Sequence, residues 1–412
     1  MKISRTLSKV CILFVLSLSI VSSCKKDDDQ PADYSYFVSK ELLAEYSPSY
    51  IKSLIDIVAI SVPEAAVFKQ YLSGGIEVYK IVYKTTVDGE EINASGIISV
   101  PADAGDYPVL SFQNGANTRY SQAPSENSDE YSFQMLEIMA SAGFVVVCAD
   151  YPGFGESAQI PHPYLVTEPT VRSLVDLLHA VNEISGIEFP GITVKNEQYL
   201  LGYSQGGWAS LALHKALELD YDGDFNLVGS SCGAGPYNTL DLFESMIDQD
   251  NYSMPVYIAY IISAYKAYNQ FTNPVSDIFN EPYATKVPTL FNGLNTFGQI
   301  NSELTTSISG LLTPDFISGY KTSSKYSTII DALNENGISG WNTGIPLLLT
   351  HGAQDTTVFP LSTENIYSSM IAAGTSPEIC KKIIVAGVDH SDGAAPCLIS
   401  GISFLLNLKN SN

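Results

Sequence analysis

With 412 residues, 45% of them hydrophobic and 11% aromatic, the chain has material for a large core and needs no disulfides to fold. A formal net charge of -23 sets 44 acidic against 21 basic residues. That balance excludes nucleic acid as a partner, because a phosphate backbone demands Lys and Arg, and solubility outside the cell accounts for it.

The N-terminus opens with basic Lys2, Arg5 and Lys9, and the apolar stretch 10 to 21 is too short to span a bilayer comfortably. Ser22 and Ser23 then stand directly before Cys24, which Lys25, Lys26 and Asp27 to Asp29 follow. This order resembles the lipobox of bacterial lipoproteins, and the acid-rich stretch resembles the surface-export signal of lipoproteins from the Bacteroides phylum. The resemblance implies a signal peptide over 1 to 23, lipidation at Cys24 and a charged tether over 24 to 33. The protein would then sit on the outer membrane, surface-exposed, touching it only through its lipid anchor. Cys148, Cys232, Cys380 and Cys397 lie further along, without C-x-x-C spacing or a His pairing that suggests a metal. Cys380 and Cys397 flank a strand of about eight residues, so they are expected near opposite ends of the sheet and unbridged.

Residues 34 to 72 read as mainly helical and amphipathic until Gly74-Gly75 breaks the pattern. Two alternating, β-branched runs, 76 to 87 and 92 to 100, are joined by Asp88-Gly89-Glu90-Glu91 and predict an antiparallel hairpin. Strand and helix then alternate: strand 108 to 113, helix 131 to 142, strand 144 to 150, helix 171 to 184, strand 198 to 203, helix 206 to 219, strand 225 to 230. The alternation resumes with strand 346 to 350, helix 364 to 373, strand 381 to 386 and helix 396 to 406. Such order predicts an α/β fold whose mostly parallel sheet starts antiparallel and carries helices on both faces. The gap from about 237 to 335 is too long for a structureless loop and rich in tyrosine, with Tyr257, Tyr260, Tyr265 and Tyr268 at helical spacing. It is expected to be a helical insertion capping the sheet.

Gly202-Tyr-Ser-Gln-Gly-Gly207 falls between a strand and a helix, where G-x-S-x-G makes a tight turn that lifts the Ser204 hydroxyl above the sheet. The Gln205 N–H and the helix N-terminus then face the place where a substrate oxyanion would form. Among five histidines, His162, His179 and His214 read as ordinary surface or core residues. His390 follows the last strand, where a general base belongs if the order is Ser, acid, His. Asp355 follows strand 346 to 350 by a short turn, within His351-Gly-Ala-Gln-Asp355, and can orient His390. Its rivals Asp389 and Asp392 are too close to His390 in sequence to reach the far nitrogen easily. Gln113-Asn-Gly-Ala-Asn117 follows the third strand, where Ala116 or Asn117 could supply a second oxyanion N–H. Asp150-Tyr-Pro-Gly-Phe-Gly-Glu-Ser157 lacks the Lys-Ser/Thr of a phosphate loop and reads as a structural turn.

Taken together, these ordered motifs resemble the α/β-hydrolase superfamily over roughly residues 75 to 408, and Gly233-Ala-Gly-Pro-Tyr237 with the helical insert resembles its secretory-lipase-type group. The resemblance implies a serine ester hydrolase with Ser204 as nucleophile, Asp355 as acid, His390 as base and the insert as lid. It needs no metal or organic cofactor, and its substrate is a small-molecule or glycan-linked ester. The insert departs from a long-chain lipase in having many tyrosines and few long apolar runs. Two other readings are a serine peptidase of the same fold and a non-catalytic glycan-binding lipoprotein that uses the tyrosine-rich insert.

Overall fold

A computed structural model describes residues 34–411; the expected signal peptide, the expected lipidation site Cys24 and the expected tether lie outside the described residues. Among the described residues nine strands form one sheet in the order β1-β2-β3-β5-β4-β6-β7-β8-β9. The strands are β1 Phe37–Tyr46, β2 Ile76–Val87, β3 Glu90–Pro101, β4 Gly105–Gln113, β5 Val145–Ala149, β6 Ile192–Tyr203, β7 Asn226–Gly233, β8 Leu347–Gly352 and β9 Cys380–Val385. Pairing is antiparallel from β1 to β3 and between β3 and β5, and parallel from β5 through β4 to β9. The hairpin turns at Asp88-Gly89, both at positive φ, so Glu90 and Glu91 belong to β3 rather than to the loop.

The first forty described residues differ from the helical expectation. Phe37–Tyr46 is an edge strand with two register shifts, and only Pro48–Ser61 (α1) and a 3-10 stretch Pro63–Gln70 are helical. Ser-Lys-Glu-Leu-Leu-Ala-Glu favours a helix locally, but the free edge of β2 offers a row of unpaired backbone groups, and pairing with them prevails. The Glu183 carboxylate accepts the N–H groups of Ser35, Tyr36 and Phe37 at 2.8, 2.8 and 2.9 Å, fixing the start of β1.

Alternate residues of the parallel strands feed opposite faces. Leu110, Phe112, Val146, Tyr199 and Leu201 pack on α1, on Tyr131–Glu137 (α2) and on Ala394–Ser411 (α13). Val109, Val145, Val147 and Leu200 face Thr167–Glu183 (α3) and Gln205–Leu219 (α4), within a core that also takes in Ile366 and Met370 of Leu361–Ala372 (α12). Both faces are therefore dry, as the unbroken apolar run of β5 requires. Cys148, Cys232, Cys380 and Cys397 are buried free thiols.

Between β7 and β8 the chain forms α5 Thr239–Ile247, α6 Val256–Ala267, α7 Tyr283–Leu290, α8 Phe297–Ser302, α9 Ile308–Leu311, α10 Pro314–Gly319 and α11 Ser327–Glu335. Tyrosine hydroxyls anchor this insertion to the loops after β4 and β5. Tyr260 donates to Asn117 O at 2.8 Å, Tyr265 to Leu165 O at 3.0 Å and Tyr268 to Pro161 O at 2.7 Å. Tyr260 is also sandwiched between Tyr164 and Phe291, with ring centroids 4.2 and 4.4 Å away. The tyrosine periodicity thus marks a helix packed against these loops, with the rings of Tyr260, Tyr265 and Tyr268 buried and that of Tyr257 half-buried.

Glu137, at the end of α2, is fully buried, and loss of solvation pushes its carboxyl up to about 8 against a smaller opposite pull from the Tyr46 phenol. Below the ordinary value of 4.5 both folded and unfolded chains hold this proton. As pH rises towards 8 only the unfolded chain releases it, so stability falls across that window. Glu137→Gln is expected to raise the thermal midpoint near pH 8 and leave it unchanged near pH 4; an equal difference at both pH values would contradict this.

Candidate active site

Ser204 follows β6 directly and precedes α4 at φ 60 and ψ -125, a conformation that strains any residue with a Cβ. The turn is tight because chains cross there at backbone distance. A Cβ on Gly206 would lie 1.8 Å from Gln113 O, and one on Gly202 would lie 2.2 Å from Gly206 O. Glycine at both positions lets α4 start directly against β4. Ser204 N–H donates to Gly233 O at 2.9 Å and Trp208 N–H to Ser204 O at 3.2 Å, which fixes the turn from both sides. The Gln205 N–H lies in the first turn of α4, where backbone donors have no intrahelical partner and point out of the helix.

Two loops bring the other groups to this hydroxyl. His390 Nε2 stands 2.9 Å from Ser204 Oγ, and its Nδ1 stands 2.6 Å from Asp355 Oδ2. Tyr203, next to the serine, donates its hydroxyl to His390 O at 2.7 Å and so ties the β9–α13 loop to the end of β6. Asp355 is 2% exposed; its Oδ1 accepts the N–H groups of Thr357 and Val358, both at 2.9 Å. Burial alone would raise this carboxyl, but hydrogen bonds from His351, His390 and Val358 N–H prevail and hold it down to about 2. The rival Asp389 spends its carboxylate on the N–H groups of Ser391 and Asp392, and both Asp389 and Asp392 face solvent.

On the other side, loop 114–118 passes over the serine. Gly115 comes close: a Cβ there would stand 3.9 Å from Ser204 Cβ. Ala116 and Asn117 follow it, half-buried, with Asn117 held by Gln122 O through its amide and by Tyr260 through its carbonyl. In the 150–157 turn, Asp150 is a buried structural group, accepting from Ser95 Oγ at 2.5 Å and from Ser125 N and Oγ at 2.8 and 2.6 Å. Cys148, Cys232, Cys380 and Cys397 make no metal-binding group with His, Asp or Glu among the described residues.

His162, His179 and His214 are buried or half-buried. His179 packs against Tyr36 and Phe225, and His214 is buried between Ser230 Oγ and Thr343 Oγ1. His162, however, reaches the site. Its Nδ1 lies 2.9 Å from Pro152 O, which can only accept, so Nδ1 carries the proton and Nε2 accepts from the Gln205 side-chain amide, also at 2.9 Å. Burial lowers His162 to about 4, keeping the ring neutral in this role. No local motif announces the contact, because His162 and Gln205 are brought together by the loop after β5 folding back over α4.

A family model described as secretory lipase matches residues 126–400. Among solved structures, a putative hydrolase from Legionella pneumophila superposes with a TM-score of 0.79 at 24% identity, over 91% of this chain and 98% of that one. The rice cell wall degrading esterase LipA from Xanthomonas oryzae gives 0.75 at 22% identity, over 91% and 97%. Candida antarctica lipase A in its closed state gives 0.66 at 12% identity, over 91% and 82%. No curated protein sequence matches the chain. The sheet order, the helices on its two faces and these likenesses make the fold that of an α/β-hydrolase.

Replacing His162 by Ala leaves the buried Gln205 amide without its acceptor. The expected cost is about 1–3 kcal/mol of unfolding free energy, read from urea denaturation. A variant as stable as the parent would show that the contact contributes nothing.

Proposed function

Because the chain belongs to the secretory lipase family and is an esterase- or lipase-like hydrolase, we propose that it cleaves carboxylic esters through a Ser204 acyl-enzyme. The observation that carries this reading is the line of contacts from Ser204 Oγ through the His390 ring to the buried Asp355 carboxylate. In the resting tautomer Nδ1–H donates to Asp355 Oδ2, so Nε2 has a lone pair for the serine proton. As Oγ attacks the carbonyl carbon, its proton passes to Nε2, and the imidazolium that forms is stabilised by the Asp355 carboxylate. The tetrahedral oxyanion is met by the Gln205 N–H and by a donor from Ala116 or Asn117, each worth about 3 kcal/mol in the transition state. His390 then returns the proton to the leaving alcohol oxygen. Water attacks the acyl-enzyme with His390 again as base and regenerates Ser204.

The substrate is a small-molecule or glycan-linked ester. The mature protein starts at a lipidated Cys24 on the outer membrane and reaches the membrane only through that anchor. Among the described residues no helix is long and apolar enough to cross a bilayer.

Ser204→Ala is expected to remove turnover of p-nitrophenyl esters and labelling by a fluorophosphonate probe while circular dichroism stays unchanged. His390→Ala should lower kcat by on the order of 10³-fold or more. Full esterase activity in folded Ser204→Ala protein would end the assignment, and a folded parent that the probe fails to label would favour a binding role.

A further inference from the structure

We propose that His351 is a positioning residue for the reaction, because its Nε2–H shares Asp355 Oδ2 with His390 and so governs how strongly that carboxylate holds the His390 ring. The proposal rests on the roles given above to Ser204, Asp355 and His390.

His351 stands near the end of β8, four residues before Asp355, and is entirely buried. Its Nδ1 lies 2.7 Å from Thr363 Oγ1 in the first turn of α12. Its Nε2 lies 2.8 Å from Val358 O and 3.2 Å from Asp355 Oδ2. A carbonyl oxygen only accepts, so Nε2 carries the proton, and Nδ1 is free to accept the Thr363 hydroxyl proton. One N–H is therefore divided between a carbonyl and the carboxylate. Asp355 Oδ2 in turn is divided between two imidazoles, His351 at 3.2 Å and His390 at 2.6 Å.

This arrangement does two things that plain packing of strand against helix would not. The Val358 and His351 contacts close the 352–358 turn around Asp355, fixing the direction in which Oδ2 faces His390. The shared N–H also draws off part of the carboxylate's charge, so that less of it stabilises the His390 imidazolium. An apolar side chain at 351 would fill the space while removing both effects and leaving Val358 O and Thr363 Oγ1 without this partner.

The other groups packed against the pair define what can titrate. Tyr203 comes from β6, Tyr252 and Tyr257 from the cap and Cys397 from α13; each couples electrostatically to Asp355. Burial pushes all four up, Tyr257 to about 12 and Cys397 to about 11, so they stay neutral in the working range. Asp389, beside His390, is a further charge, fixed on its own turn with Asp392 and unaltered in the variants below.

The test compares His351→Leu and His351→Gln with the parent and with Ser204→Ala, using a p-nitrophenyl ester across pH. In His351→Leu, kcat is expected to fall about ten- to a hundredfold with KM within about twofold. The acid limb of kcat/KM should move to higher pH, since an unshared carboxylate holds the His390 proton more tightly. His351→Gln, which can restore an N–H donor, should recover most of kcat and return the limb towards the parent. Should the Leu variant not fold, Thr363→Val removes the hydroxyl that seats the ring and should displace the limb in the same direction by a smaller amount. Parental kcat and acid limb in His351→Leu would overturn the proposal. So would a loss of activity that leaves the limb in place and is not relieved by Gln, or an unmoved limb in Thr363→Val when that variant has to stand in. Dependence on Ser204 with no effect at position 351 would remove only the role of His351. Activity that survives Ser204→Ala would remove the triad reading along with it.

Discussion

The site depends on one strained residue. Ser204 keeps a backbone conformation that costs on the order of 1–3 kcal/mol, and it does so because strand, turn and helix approach too closely for any alternative. The Gly206 backbone lies against Gln113 O, and Gly202 lies against Gly206. Hydrogen bonds from Ser204 N–H to Gly233 O and from Trp208 N–H to Ser204 O hold the turn to β7 and α4. The same crowding that strains the serine aligns β4, β6, β7 and α4. Loop 114–118, the helix N-terminus and the hydroxyl are consequently fixed relative to one another before any substrate arrives, which is the condition for electrostatic preorganisation.

Around that turn, polar side chains with a single geometric option set the remaining positions. Tyr203 holds the backbone of His390, His162 holds the side chain of Gln205, and two backbone N–H groups hold Asp355 Oδ1. Each contact is buried or half-buried, where an unpaired partner is costly, so each loop has one low-energy placement. The cap obeys the same logic. Tyr260, Tyr265 and Tyr268 each bury a ring and end in a hydroxyl that reaches a loop carbonyl, so a helix with little polar surface is still fixed in register over the sheet.

Carboxylates in this chain take opposite states according to their partners. Asp355 is buried among donors and held down to about 2, whereas Glu137 is buried beside a lone phenol and pushed up to about 8. Desolvation acts on both in the same direction; hydrogen bonds decide the sign for Asp355. A negative charge is therefore maintained beside the His390 ring, and a neutral acid is accepted under the sheet, at a stability cost that grows as pH rises.

Much of this was legible in the sequence, for a physical reason: the information is local. Unbroken apolar runs identify strands buried on both faces, and Gly202, Gly206 and Gly207 around Ser204 identify a turn that only glycine permits. The positions of Asp355 and His390 after β8 and β9 follow from chain order in a parallel sheet, whose strand ends all face one way. The strand Phe37–Tyr46 was not legible, because its helix-favouring residues yield to an edge elsewhere in the chain. Nor was the purpose of the tyrosines, which depends on carbonyls 100 or more residues away. The contacts of His162 with Gln205 and of His351 with Asp355 and Thr363 likewise needed the tertiary structure. Sequence determined which residues are the candidates for the chemistry; only the packing of the loops decided which neighbours hold them, since a hydrogen bond between distant segments leaves no periodicity and no spacing to read.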